Sequence, residues 1–200
     1  MSRGKAPYMS EPRFKSQQRR QQQKEQTYQD LVAAAFTVFC ARGYTNATLE
    51  EIAATAGYTK GAIYTHFATK DAMFLAVFDR FFADHLGENA EQSFLQDVAK
   101  NRSWYVAITE FVGYAIRNEA VRSELAQRYR QLHATILHHL PPSERAQEIA
   151  WVIIALSHGM TLLAYILPTV EMGEHYDELL ARLMMGSNAP PTLGDAMQPE

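Results

Sequence analysis

Six side chains set at short spacing, Thr48, Thr59, Lys60, Tyr64, His66 and Lys70, bring hydroxyls, ammonium groups, a phenol and an imidazole into one stretch that also contains Gly61. Groups of these kinds hydrogen-bond to phosphate oxygens and to the edges of bases. They can reach a major groove only if one narrow element carries them inward while another crosses the backbone and fixes the angle. Two short helices joined by a tight turn provide that geometry.

The sequence encodes such a pair. Thr48-Leu-Glu-Glu51 reads as a capping box, in which the hydroxyl accepts from a backbone amide and Glu51 reaches back to another. The helix it starts buries Leu49, Ile52, Ala53 and Ala56, and Gly57 and Tyr58 interrupt it. Thr59 then caps a very short helix, Lys60 to His66, buried through Ile63 and Phe67, with Thr59, Lys60, Tyr64 and His66 facing out. Gly61 lets its backbone approach a partner closely. Thr69-Lys-Asp71 opens the next helix, and Lys70 adds charge where backbone amides already favour a phosphate. Upstream, Leu31, Ala34, Ala35, Val38 and Phe39 form one face of a helix from about Glu25 to Arg42, stopped by Gly43. Each residue alone also has an ordinary role as cap, core or solvated lysine. Together, at fixed spacing, they favour DNA binding.

The stretch Thr48 to Asp71, with Ala34 to Thr48 before it, resembles the DNA-binding signature of tetracycline-repressor-type (TetR) regulators, over about Lys24 to Arg80. The resemblance implies an all-helical homodimer with an N-terminal DNA-binding unit and a larger ligand-binding and dimerisation unit. It also implies that Thr48 touches phosphate, that Thr59, Lys60, Gly61, Tyr64 and His66 contact double-stranded operator DNA, and that Lys70 contacts phosphate. Tyr58 departs from the small aliphatic residue more usual after the turn glycine.

Apolar spacings of three and four recur from Tyr28 to Met185, so the fold class is all-α, and the resemblance implies its division into an N-terminal three-helix helix-turn-helix domain and a C-terminal helical ligand-binding and dimerisation domain. Later helices are expected near Arg102 to Asn118, Val121 to Leu140, Ser143 to Leu167 and Glu174 to Met185, with Pro141, Pro142, Pro168 and Gly173 as breaks. The divisions are a flexible basic arm over 1–24, whose Gln-rich end can extend the first helix, the DNA-binding domain over 25–85, the ligand-binding domain over 86–187 and a loose tail over 188–200. Trp104, Phe111, Tyr114, Tyr129, His133, Trp151 and His158 combine apolar surface with polar handles, as pockets between helices do, and are the candidates for holding a small apolar or aromatic effector. Aromatics at this spacing also make ordinary core.

Charge is uneven: residues 1–29 hold seven basic and two acidic residues, and the remainder holds twelve basic and twenty acidic ones. A basic arm on an acidic body suits contact with a polyanion at one end, through phosphates and without choice of sequence. Seven histidines are present, but His133, His138 and His139 lack the spacing of a helical metal clamp, so neither a metal nor a cofactor is expected. No P-loop, nucleophile elbow or carboxylate pair supports an enzyme. Ile149 to Leu167 approaches membrane-spanning length, yet Ser157, His158, Gly159 and Thr161 favour a helix buried in protein. The single Cys40 and the absence of a secretory pattern point to the cytoplasm. Two other readings remain open at this point: a helical small-molecule carrier or enzyme without DNA binding, and a DNA-binding architectural protein with no effector.

Overall fold

Gln, Lys, Arg and Glu lose little rotamer freedom in a helix, and a run rich in them continues the first helix N-terminally even without an apolar face. In the computed structural model, which describes residues 11–86 and 101–167, helix α1 therefore spans Glu11–Asn46 and does not begin near Glu25. The part of the arm from residue 11 onward is helical, where a flexible segment was expected. Gly43 interrupts α1 with φ 74° and ψ 171°, a conformation that glycine adopts without strain.

The next three starts follow from threonine caps. Thr48 Oγ1 accepts from the Glu51 amide at 3.1 Å, Thr59 Oγ1 from the Ala62 amide at 3.3 Å, and Thr69 Oγ1 from the Ala72 amide at 3.1 Å. They open α2 (Leu49–Thr55), α3 (Lys60–His66) and α4 (Lys70–His85). Only half of the expected capping box forms. The Glu51 carboxylate turns away to accept from Arg42 Nε at 3.0 Å, tying α2 to the end of α1. Beyond these lie α5 (Arg102–Ala115), α6 (Glu119–His139) and α7 (Ala146–Ile166), close to the predicted bounds, and no strand occurs among the described residues. The expected helix Glu174 to Met185 and the tail lie outside the described residues.

One apolar core crosses the line between the two units. Phe74 of α4 stacks on Phe111 of α5 at 4.3 Å between centroids and on Trp104 at 4.8 Å, while Phe39 and Tyr44 meet Phe74 edge-on at 4.9 and 5.3 Å. Such pairs stabilise beyond the area they bury. Thus α5 packs directly on α1 and α4 and ties the body of the protein to its N-terminal unit. Burial pushes the Cys40 thiol, set on α1, up to about 11, which leaves it protonated and unreactive at neutral pH.

Gly43 also meets α5. A Cβ there would stand within 2.8 Å of Glu110 Cδ, and the same carboxylate accepts from the Thr45 amide at 2.9 Å. Gly43→Ala should therefore cost about 1–3 kcal/mol, from positive φ and displacement of Glu110 together. Urea denaturation against wild type checks this, and Ala33→Gly at an exposed α1 position calibrates the cost of a plain helix substitution.

Candidate nucleic-acid interface

The pair α2 and α3 is anchored from below by Ile52, Ala53 and Ile63, all at most 1% exposed. That anchoring leaves Thr59, Lys60, Gly61, Tyr64 and Thr65 exposed in one outward row. Thr65, which sequence reasoning passed over, belongs to this row, its hydroxyl donating to the Gly61 carbonyl at 3.0 Å. Thr48 and Thr59 are exposed caps whose oxygens each accept from a backbone amide. His66 is half-buried at the end of α3, with its ring 6.2 Å from that of Tyr28. The turn before α3 uses Gly57 at φ 75°. Tyr58, the residue out of pattern, packs partly on the core and donates its hydroxyl to Asp30 Oδ2 at 2.8 Å, so its size serves to fasten the turn to α1.

A carboxylate sits within this row. Glu50 of α2 pairs with Lys60 Nζ at 2.5 Å and accepts from the Tyr64 hydroxyl at 3.4 Å. The lysine holds the Glu50 carboxyl below the usual range, and Glu50 raises the Lys60 ammonium in turn. Both groups are open to solvent, so the pair adds little to stability. Its effect is to neutralise the one lysine in the exposed row of α3.

Lys70 is placed differently from the phosphate contact expected of it. Its Nζ donates to the carbonyls of Tyr44 at 2.8 Å, Thr45 at 3.1 Å and Ala47 at 3.1 Å, and lies 4.5 Å from the centroid of the Tyr44 ring. Burial lowers its pKa, opposed by Asp71 and Glu110. All three ammonium protons face inward, so in this structure Lys70 closes the turn between α1 and α2.

Residues 31–77 match the family described as bacterial regulatory proteins, tetR family, and residues 89–185 match the BetI-type transcriptional repressor C-terminal family. The chain belongs to the TetR family of transcriptional regulators. It is 32% identical over 108 residues to the HTH-type transcriptional regulator SrpR of Pseudomonas putida, covering 54% of this chain and 46% of that protein. The same identity over 108 residues relates it to the uncharacterised HTH-type transcriptional regulator TtgW, also of Pseudomonas putida, covering 54% of this chain and 72% of that one. The chain thus spans about half the length of the first of these relatives. In fold it is similar to reduced E. coli NemR, with a TM-score of 0.57 at 21% identity, over 80% of this chain and 97% of that chain.

Against this TetR-family frame, the seven expected effector residues do not line one space. Trp104 and Phe111 are fully buried and are the aromatic core between α1, α4 and α5. Tyr114 points to the N-terminal unit and donates to Asp71 Oδ2 at 3.2 Å. His133 and Trp151 stack at 4.4 Å on the outside of α6 and α7, where His133 Nε2 donates to the Gln147 carbonyl at 2.9 Å. Only Tyr129 and His158 form an interior polar pair, 3.0 Å apart. His158 Nδ1 faces the Ile154 carbonyl at 2.8 Å and must carry its proton there, so Nε2 accepts from the Tyr129 hydroxyl. Burial lowers the His158 pKa and raises that of Tyr129, keeping both neutral. Among the described residues no cluster of His, Cys, Asp or Glu could hold a metal, and no helix is long and apolar enough to cross a membrane.

Substitutions at Glu50 and Lys70 should act in opposite ways. Glu50→Gln should leave the melting temperature unchanged and tighten DNA binding several-fold at low salt, since a carboxylate facing phosphates is removed and Lys60 is released. Lys70→Met should lower stability by about 2 kcal/mol, because three carbonyls lose their donor. Fluorescence anisotropy with duplex DNA and thermal melting of both variants separate the two roles.

Proposed function

We propose that this TetR-family chain acts in the cytoplasm as a homodimeric repressor whose two α3 helices enter successive major grooves of a palindromic operator, and which a small apolar or aromatic effector releases. The observation that carries this reading is the outward row Thr59, Lys60, Gly61, Tyr64 and Thr65 on a helix pair anchored by buried Ile52, Ala53 and Ile63. A helix of seven residues offers one short reading head, and useful specificity needs two half-sites. The reading of a carrier or enzyme without DNA binding loses its ground, since the relatives are named as transcriptional regulators.

An apolar stripe on α7 supports pairing of two chains. Ala150, Ile153, Ile154 and Ser157 turn inward and are buried, while Trp151, Val152, Leu163 and Ile166 are 45%, 50%, 44% and 71% exposed. Ala155 and Gly159 are exposed between them, and a Cβ built on Gly159 meets nothing within 4 Å. Apolar groups in this arrangement favour burial against a second helix that can come close.

Effector release needs a path from body to reading head. Helix α4 begins beside the reading helix and runs into the body, and the contacts of Glu110 and Tyr114 add α5: one holds the Thr45 amide, and the other holds Asp71 at the start of α4. An effector that shifts α5 alters both ends of the α2–α3 unit, provided that it binds the two conformations unequally.

The test is selection of an operator from genomic fragments, followed by binding with Lys60→Ala and Tyr64→Ala. Each should lose roughly 10- to 100-fold in specific affinity with unchanged circular dichroism. Retention of full specific affinity by both would reject the proposed reading head. Sedimentation at micromolar concentration should give a dimer for wild type and a monomer for Leu163→Arg. For any compound found to bind, operator DNA should weaken its binding by the factor by which it weakens operator binding.

A further inference from the structure

Helix α1 runs on beyond the core towards Glu11, and its stripe of Arg20, Lys24 and Thr27 faces α3 across an open groove of about 300 Å³. Tyr58, Ala62, Thr65 and His66 form the far wall, and Gln23 completes the near one. The hydroxyls in this groove are committed within the protein: Thr27 donates to the Gln23 carbonyl at 3.0 Å, Thr65 to that of Gly61 at 3.0 Å, and Tyr58 to Asp30 Oδ2 at 2.8 Å. The cations are not. Arg20 and Lys24 have neither an ion pair nor a hydrogen bond among the described residues, and no carboxylate lines the groove. From Pro12 to Lys24 the sequence carries five basic residues and no acidic one.

This face of α3 is the side away from Glu50, which pairs with Lys60 on the flank towards α2. One flank of α3 is therefore neutralised from within while the other holds two uncompensated cations, a half-buried imidazole and an amide. A guanidinium and an ammonium facing the reading helix across a groove are groups that bind the phosphate oxygens of a nucleic-acid backbone.

We propose that this groove clamps a backbone phosphate of duplex DNA at the outer edge of each half-site, with Arg20 and Lys24 as the binding cations and His66 and Gln23 as further donors. The proposal rests on α3 lying against duplex DNA, as under the proposed function. It turns the basic segment from a loose counter-charge into a site with a fixed place: α1 scaffolds the cations, so they act on defined phosphates.

The test uses the full chain and its Arg20→Gln/Lys24→Gln variant, a change that preserves helix propensity. On duplex DNA the variant should bind roughly three- to tenfold more weakly at low salt, and its slope of log affinity against log salt should fall by about 2. Neutral methylphosphonate groups placed singly along the operator should weaken wild type at one or two positions outside the bases read by α3. At those positions they should cost the variant nothing, and base preference should be unchanged. Equal affinity and salt slope for the two proteins, altered base preference in the variant, or equal methylphosphonate penalties would each overturn the clamp. Protection of His66 by inorganic phosphate alone, with DNA binding unaffected by the variant, would likewise assign the groove to a free anion. The slope difference is measurable on random-sequence duplex as well, so failure to find an operator would reject the proposed function without deciding the clamp.

Discussion

Leaving α1 at Gly43, the chain has the carbonyls of Tyr44, Thr45 and Ala47 to satisfy before α2 can start at its Thr48 cap, and Lys70 Nζ donates to all three. An ammonium suits this task because it carries three donors on a flexible stem. The contact fixes the angle at which α2 leaves α1 and, through the turn at Gly57, the angle at which α3 is offered outward. It also fastens the first turn of α4 to the same point, since Lys70 begins that helix.

The ammonium is not isolated in this partly buried setting. Its neighbour Asp71 accepts from the Tyr44 hydroxyl and from that of Tyr114, and Glu110 accepts from the Thr45 amide. Two carboxylates thus surround one cation, and the two acceptor networks begin on different helices. Removing either carboxylate would leave hydrogen-bond donors unpaired at a junction shared by four elements, which is a larger disturbance than losing an exposed pair such as Lys60 with Glu50. Aromatic packing of Tyr44 with Phe74 and Phe111 beneath the junction excludes water from its inner side. The burial that lowers the Lys70 pKa also strengthens each of its hydrogen bonds.

What could be read in advance follows the range of the interactions. The caps Thr48, Thr59 and Thr69 act over three residues, so α2, α3 and α4 were legible from local chemistry, as was the glycine at the α1 exit. Helices α5, α6 and α7 were legible from their apolar period and from prolines between them. The Glu110 contact with Thr45 spans 65 residues, and nothing in either local sequence marks it. Lys70 was placed on the right element without its three carbonyl acceptors, because a lysine at a helix start looks alike whether its ammonium faces phosphate or three carbonyls. Trp104 and Phe111 suited a pocket by composition, and the packing of α5 on α1 claimed them for the core. Residues 11–24 lacked an apolar face, and helix propensity continued from the packed segment decided their state.

With 36 residues, α1 is about 50 Å long, and its one break lies at Gly43, beside the Glu110 carboxylate. As far back as Tyr28 the helix packs on the core, with Phe36 against Trp104 of α5, and residues 15–26 stand exposed beyond it. The free arm from there back to Glu11 is about 25 Å long, so a tilt of about 5° at its packed base sweeps its end through roughly 2 Å. Small shifts of the packed part of α1 are therefore magnified at the far end of the helix. Mechanical gain of this kind comes from length alone and needs no second conformation of the reading helix.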